Sequence, residues 1–238
     1  MIECIFIQSH KLEVSNRLPL FLLELSKHVI SIPVYLFLNK SSLDNDLGYL
    51  NNYKDLITDI IYIDDDVRCN KISYMFYKII NSYLEYQYVL LLETDCILNN
   101  NFINLIDNDI EDRKFLLYGS RYYGICNWSN YSTLTIDKCT KNGLWLLDAS
   151  RNHINGVCIY NRSKLLMNII DYIFIKLLLI NSGSNFDYLL SFYILNKYGN
   201  VDYLIDSKYI LNISDNSDKY LNYSDIKPDA VIIHKKST

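Results

Sequence analysis

Tyr88-Val89-Leu90-Leu91-Leu92-Glu93-Thr94-Asp95-Cys96 is the stretch whose reading decides the fold. The run from Tyr88 to Leu92 carries no polar alternation, the pattern of a strand covered on both faces and therefore central in a helix-flanked sheet. It drives into Glu93 and Asp95 and then into a polar turn, Asn99-Asn100-Asn101. Along an extended chain, side chains two apart share a face, so both acids are expected to project together where the strand ends. In open α/β sheets that carboxyl edge is where ligands bind. Adjacent carboxylates repel unless a cation lies between them, so the expectation is a divalent-metal site serving a phosphorylated substrate. The competing reading is a solvated acidic turn at a strand end.

Upstream, Ile2 to Gln8 is a short apolar strand closing on Gln8-Ser9-His10. Arg17 to Val29 repeats Leu18, Phe21, Leu22 and Leu25 at helical spacing, and Ile32 to Leu38 is a second strand. A polar, partly helical connection reaches Lys54, and Asp59 to Ile63 is a third strand, closed by Asp64-Asp65-Asp66. Lys71 to Glu85 gathers Ile72, Phe76, Ile79, Ile80 and Tyr83 on one helical face. This alternation predicts an α/β fold with a Rossmann-like, mostly parallel central sheet flanked by helices and right-handed crossovers.

Downstream, the pattern predicts a helix from Phe102 to about Asp109, a strand over Lys114–Tyr118 and another over His153–Tyr160. Helices follow over Leu165–Ile180 and Phe186–Tyr198, then a sheet element at Val201–Ile205 and a terminal strand running from Ala230 into His234, Lys235 and Lys236. Gly119 to Asp148, with both tryptophans, is too long for a plain connector and is expected to form a binding wall.

A chain of 238 residues, half of them apolar and only 3 proline, can bury one good-sized core and is expected to be a single domain. The formal charge of −4 argues against a general nucleic-acid binder, which needs a basic surface to displace counterions. The 6 cysteines are scattered without a C-x-x-C pair, which predicts reduced thiols and a cytoplasmic-type compartment. No signal peptide is expected, since the first residues read as a strand without a basic n-region, and the most hydrophobic stretch, Leu165–Ile180, is short and carries Asp171 and Lys176. No membrane span is expected. The excess of Ile, Asn, Lys and Tyr is the drift of an AT-rich genome, which suits a large DNA virus or an AT-rich microbe.

The order of these parts resembles a glycosyltransferase of the GT-A type over nearly the whole chain. The shared features are an α/β half closed by an acidic D-x-D-like pair, an irregular acceptor-side region, the Asn155-Gly156 strand, an acidic residue opening a late helix, and a terminal strand with His. Glu93-Thr94-Asp95 departs from a strict D-x-D in its first position. The resemblance implies a nucleotide-binding half over residues 1–98 and an acceptor- and sugar-binding half over 99–238. It implies hexosyl or deoxyhexosyl transfer from a nucleotide-diphospho-sugar to an acceptor hydroxyl, with Mn²⁺ or Mg²⁺ as cofactor. Asp95 is then the metal ligand, with Glu93 on the ion, its waters or the ribose, and His234 as a third ligand whose imidazole favours Mn²⁺.

By the same resemblance, Gln8 and His10 seat the base and ribose, Lys71 approaches the diphosphate, and Asn155 with Gly156 faces the donor sugar. Asp187 is the candidate general base for an inverting transfer. Each assignment has a plainer rival. His234 could be an exposed tail residue, Asn155-Gly156 a β-bulge, Lys71 a solvated helix flank and Asp187 the end of a Ser184-x-x-Asp187 capping box. Arg121, Tyr122, Tyr123, Trp128 and Trp145 could stack on an acceptor, although with 22 tyrosines any single one is expected to be packing. A non-catalytic nucleotide-sugar-binding protein is the alternative outside enzymes. A sugar-phosphate nucleotidyltransferase ranks below it, because Gln8-Ser9-His10-Lys11-Leu12-Glu13 is not a Gly-rich triphosphate cradle.

Overall fold

Cys4-Ile-Phe-Ile-Gln8 and Tyr88-Val-Leu-Leu-Leu-Glu93 lie side by side, in register from Cys4↔Val89 to Gln8↔Glu93. The structure, a computed structural model, describes residues 1–9, 13–29, 31–63, 85–111, 113–121, 154–162, 204–213 and 227–235. Its strands are β1 (Cys4–Gln8), β2 (Val34–Asn39), β3 (Ile57–Ile63), β4 (Tyr88–Glu93) and β5 (Cys96–Leu98), then β6 (Leu117–Arg121), β7 (Ile154–Asn161), β8 (Leu204–Asp206), β9 (Ile210–Ile213) and β10 (Ile232–Lys235). Seven of them form one sheet in the order β3-β2-β1-β4-β7-β6-β8. Within it only β7 runs against its neighbours, β4 and β6. The other three form a separate small sheet, β5-β10-β9. This is the mostly parallel α/β architecture that the alternation of strands and helices predicts.

The apolar run behaves as its pattern demands. Val89 to Leu92 are buried between β1 and β7, and every residue of β1 is buried. Each such Leu or Ile side chain contributes about 1.5–3 kcal/mol relative to exposure. One sheet face is covered by α1 (Arg17–Ser26), which buries Leu18, Phe21, Leu22 and Leu25. Phe102, Ile106 and Ile110 of α2 (Phe102–Ile110) join the same core. Asn101 at the start of α2 has φ 65°, a left-handed conformation that asparagine tolerates better than most residues. The connection after β2 is built from two short 3-10 turns, Lys40–Asp44 and Gly48–Tyr53.

Several boundaries differ from the sequence pattern. β6 begins at Leu117 and runs to Arg121, past the expected Lys114–Tyr118. Phe115 and Leu116 are buried but lie ahead of the first β6–β7 pair, Leu117↔Tyr160, so hydrophobicity marked burial and not pairing. Helix α1 stops at Ser26, short of Val29, which remains buried. The acidic stretch is not one extended strand either. β4 ends at Glu93, Thr94 and Asp95 form a turn, and β5 starts at Cys96. β9 had no clear sequence signal. The expected helices at 165–180 and 186–198, nearly all of that at 71–85, the acidic triplet 64–66 and the wall from 122 to 148 lie outside the described residues. Among the described residues no helix is long and apolar enough to cross a membrane. Cys4, Cys96 and Cys158 are buried.

Lys227 fastens the small sheet to the large one. Its buried Nζ donates to Asp206 Oδ1 at 2.6 Å, to the Ile210 carbonyl at 3.1 Å and to the Ser207 carbonyl, so it ties the segment leading into β10 to the β8–β9 turn. Lys227→Met removes the donor shared by that carboxylate and the two carbonyls. It is expected to lower unfolding stability by about 3 kcal/mol, measured by urea denaturation. A loss below about 0.5 kcal/mol would show that the clamp is not structural.

Candidate metal centre

The chain proceeds outward from β1 to β2 and β3, then returns to place β4 on the other side of β1. The carboxyl ends of β1 and β4 therefore flank the point where the direction of winding reverses, the place where open α/β sheets bind ligands. Gln8 and Glu93 are register partners there. Glu93 ends β4, and the next two residues turn the chain into β5.

That turn is anchored. Thr94 is buried, and its hydroxyl donates to Glu13 Oε2 at 2.7 Å. Glu13 in turn accepts from Arg17 Nη1 at 3.3 Å, and its carbonyl receives the backbone N–H groups of Asn16, Arg17 and Leu18. The acidic turn is thereby fixed to the start of α1. β5 then pairs antiparallel with β10, Cys96 opposite His234, and this pairing brings a histidine from the far end of the sequence beside the acids.

His234 Nε2 lies 3.0 Å from Asp95 Oδ1 and 3.5 Å from Glu93 Oε2. One ligand atom from each of the three residues falls within a 4.8 Å group. Two donors about 2.1 Å from one octahedral ion stand roughly 3 Å apart when adjacent, so these spacings are those of neighbouring positions around a single cation. His234 is 5% exposed, which removes the reading of a solvated tail residue. His234 Nδ1 is buried without a hydrogen-bond partner, and Asp95 Oδ1 and His234 Nε2 are buried with no well-aligned hydrogen bond despite their 3.0 Å approach. Buried polar atoms left this way are expensive, and a divalent ion would satisfy two of the three. Two hard carboxylates with one imidazole suit Mn²⁺ better than Ca²⁺ or Mg²⁺. The residues fit the cofactor that the sequence implies.

The electrostatics agree. Burial pulls the His234 imidazole toward the neutral form, but the Glu93 and Asp95 carboxylates outweigh it and raise the pKa from 6.5 to about 10. The pocket is thus strongly cation-seeking, and in the absence of an ion a proton on His234 supplies part of the demand.

The other sequence-derived residues divide cleanly. Gln8 is buried at the carboxyl end of β1, opposite Glu93, with Nε2 lacking a partner. Asn155 and Gly156 lie at the start of β7. Because β7 runs antiparallel to β4, its start lies toward the end of β4 that carries Glu93. His10, Lys71 and Asp187 lie outside the described residues, as do Tyr122, Tyr123, Trp128 and Trp145. The Thr94–Glu13 anchor and Asn212, the β9 register partner of His234, were not foreseen. Neither has a local sequence signal, since each contact joins distant segments.

No family model matches the sequence, and no curated protein sequence does. Solved structures do match. The apo form of mouse xyloside xylosyltransferase 1 superimposes with a TM-score of 0.54 at 12% identity, covering 99% of this chain and 98% of that one. The apo structure of the bifunctional glycosyltransferase WbbM gives a TM-score of 0.57 at 11% identity over all of this chain and 46% of that one. The apo glycosyltransferase GlyE of Streptococcus pneumoniae TIGR4 gives 0.52 at 14% identity over all of this chain and 55% of that one. The chain therefore spans about half the length of the latter two. At these identities the likeness establishes the fold, that of the GT-A glycosyltransferases.

Proposed function

We propose that this chain is a metal-dependent glycosyltransferase that moves a hexosyl or deoxyhexosyl group from a nucleotide-diphospho-sugar to an acceptor hydroxyl. The supporting observation is the convergence of Glu93, Asp95 and His234 at the winding reversal between β1 and β4. Asp95, His234 and Glu93 hold the ion, Mn²⁺ in preference to Mg²⁺. Bound there, a divalent cation neutralises the charge that develops on the departing nucleoside diphosphate.

The remaining roles belong to the chain's own groups. Gln8, with its unpartnered amide nitrogen, offers a donor to the base or ribose, and His10, two residues on in the sequence, is assigned the same role. The diphosphate is assigned to Lys71 and the sugar to Asn155 with Gly156. Asp187 takes the acceptor proton if configuration inverts. Residues 1–98 and 99–238 act as the donor and acceptor halves of one unit, a reading supported by the shared seven-stranded sheet to which both contribute strands.

The test is a thermal-shift and turnover screen of nucleotide-sugars and nucleoside diphosphates with and without Mn²⁺. A ligand at 100 times its Kd adds about 2.7 kcal/mol, which for a chain this long is a rise of about 5–10 °C in Tm. The expected result is such a rise for one nucleotide class, seen only with the ion, together with release of the diphosphate. A Tm rise without turnover of any nucleotide-sugar would favour a non-catalytic binder. No response to any nucleotide would remove the donor assignment.

A further inference from the structure

Across the small sheet, Cys96 of β5, His234 of β10 and Asn212 of β9 form one register row. The row two residues away is Leu98, Ile232 and Ile210, all in the hydrophobic core. Side chains two apart on a strand share a face, so Asn212 and His234 issue from the core-facing side. Both strands therefore switch from isoleucine to a polar residue at the same step, the one that meets the acidic turn.

Asn212 is 3% exposed, and its Oδ1 has no hydrogen-bond partner. An amide buried in that condition costs about 1–3 kcal/mol. His234 presents the complementary deficit. Its Nε2 is the nitrogen beside Asp95 and Glu93, while Nδ1 is buried and unpartnered. A histidine that ligates through one nitrogen normally donates its other N–H to an acceptor, which fixes the tautomer and the ring plane. Neighbouring strands are about 4.8 Å apart, which sets register-paired side chains within reach of each other.

We propose that Asn212 is a positioning residue of the metal centre, its Oδ1 accepting the Nδ1–H of His234 so that the Nε2 lone pair is held on the ion. The assignment rests on the reading of Glu93, Asp95 and His234 as ion ligands. One bond satisfies both buried orphan atoms, and it explains why an apolar strand face admits an asparagine at that position. Among the described residues no other side chain is both in register with His234 and short of a donor.

The experiment uses the full chain labelled with ¹⁵N-histidine, loaded with Zn²⁺ as a diamagnetic probe for NMR and titrated with Mn²⁺ for affinity. The wild type should show one slowly exchanging, downfield Nδ1 proton, assigned by its disappearance in His234→Gln. Asn212→Leu should move that proton upfield, accelerate its exchange and weaken Mn²⁺ binding by about 10–100-fold. Asn212→Asp should move it further downfield through a charge-assisted bond, and this variant stands alone should Asn212→Leu not fold. Weakened Mn²⁺ binding with an unchanged Nδ1 proton would overturn the positioning role in favour of direct ligation by the amide. Unchanged binding and an unchanged proton in the variants would overturn it outright while leaving the metal centre intact. A wild type that binds neither ion would overturn the metal centre and this assignment with it.

Discussion

Asp95→Asn is expected to reduce Mn²⁺-dependent transfer by on the order of 10³-fold, about 4 kcal/mol of transition-state stabilisation, while the protein stays folded. The substitution is nearly isosteric and removes one charge from a position where Asp95 Oδ1 is buried 3.0 Å from His234 Nε2. The neutral amide is a poor ligand for a hard cation, so the loss should fall on ion binding and on every step that needs the ion. Two measurements separate this from general damage. The melting temperature without Mn²⁺ should stay within a few degrees of the wild type. The rise in Tm produced by Mn²⁺ with a nucleoside diphosphate should vanish, because the coupling of ligand to fold runs through the ion. A variant that retains Mn²⁺-dependent turnover would disconnect Asp95 from the chemistry.

Only part of this centre and its fold is visible in the sequence. The run Val89–Leu92 told its own story, since a strand buried on both faces leaves an apolar signature that needs no partner to be read. The same holds for α1, whose Leu18, Phe21, Leu22 and Leu25 carry the helical period within one segment. Glu93 and Asp95 were legible as a pair, but for a partly different reason from the true one. They converge because Thr94 turns the chain and is held by Glu13, and not because an extended strand alternates its faces. The small sheet was the least visible part. Strands of three or four residues such as β5 and β9 are too short to show a period, and their pairing joins residues near position 97 to residues near 211 and 233. His234 could be suspected from the sequence only by resemblance, and Asn212 not at all, because its meaning exists only in register with its neighbour.

Ion binding should be strongly pH-dependent, with affinity for Mn²⁺ rising about 100-fold between pH 6 and pH 8 and one proton released for each ion bound. The sign follows from the His234 imidazole. Its pKa in the folded, ion-free protein is raised to about 10, since the Glu93 and Asp95 carboxylates outweigh the burial that opposes it. Proton and metal compete for the same Nε2 lone pair, so below pH 10 the ion must displace a proton. Each unit of pH that lowers the proton's hold strengthens the ion's by up to tenfold. An unperturbed histidine would instead level off soon above its ordinary pKa of 6.5, so a steep rise that continues to pH 8 is diagnostic of the carboxylate pair. The same shift acts on the ion-free fold in the opposite sense. A raised pKa stabilises the folded state fully below about pH 6.5, and that contribution declines as pH climbs toward 10. Calorimetric titration of Mn²⁺ in two buffers of different ionisation enthalpy counts the proton directly. A count near zero at pH 7, or an affinity flat across that range, would mean that His234 is not the group the ion displaces, and the centre would reduce to its two acids. His234→Gln supplies the control: it should bind Mn²⁺ more weakly at pH 8 and lose the proton release, because an amide has no proton for the ion to displace.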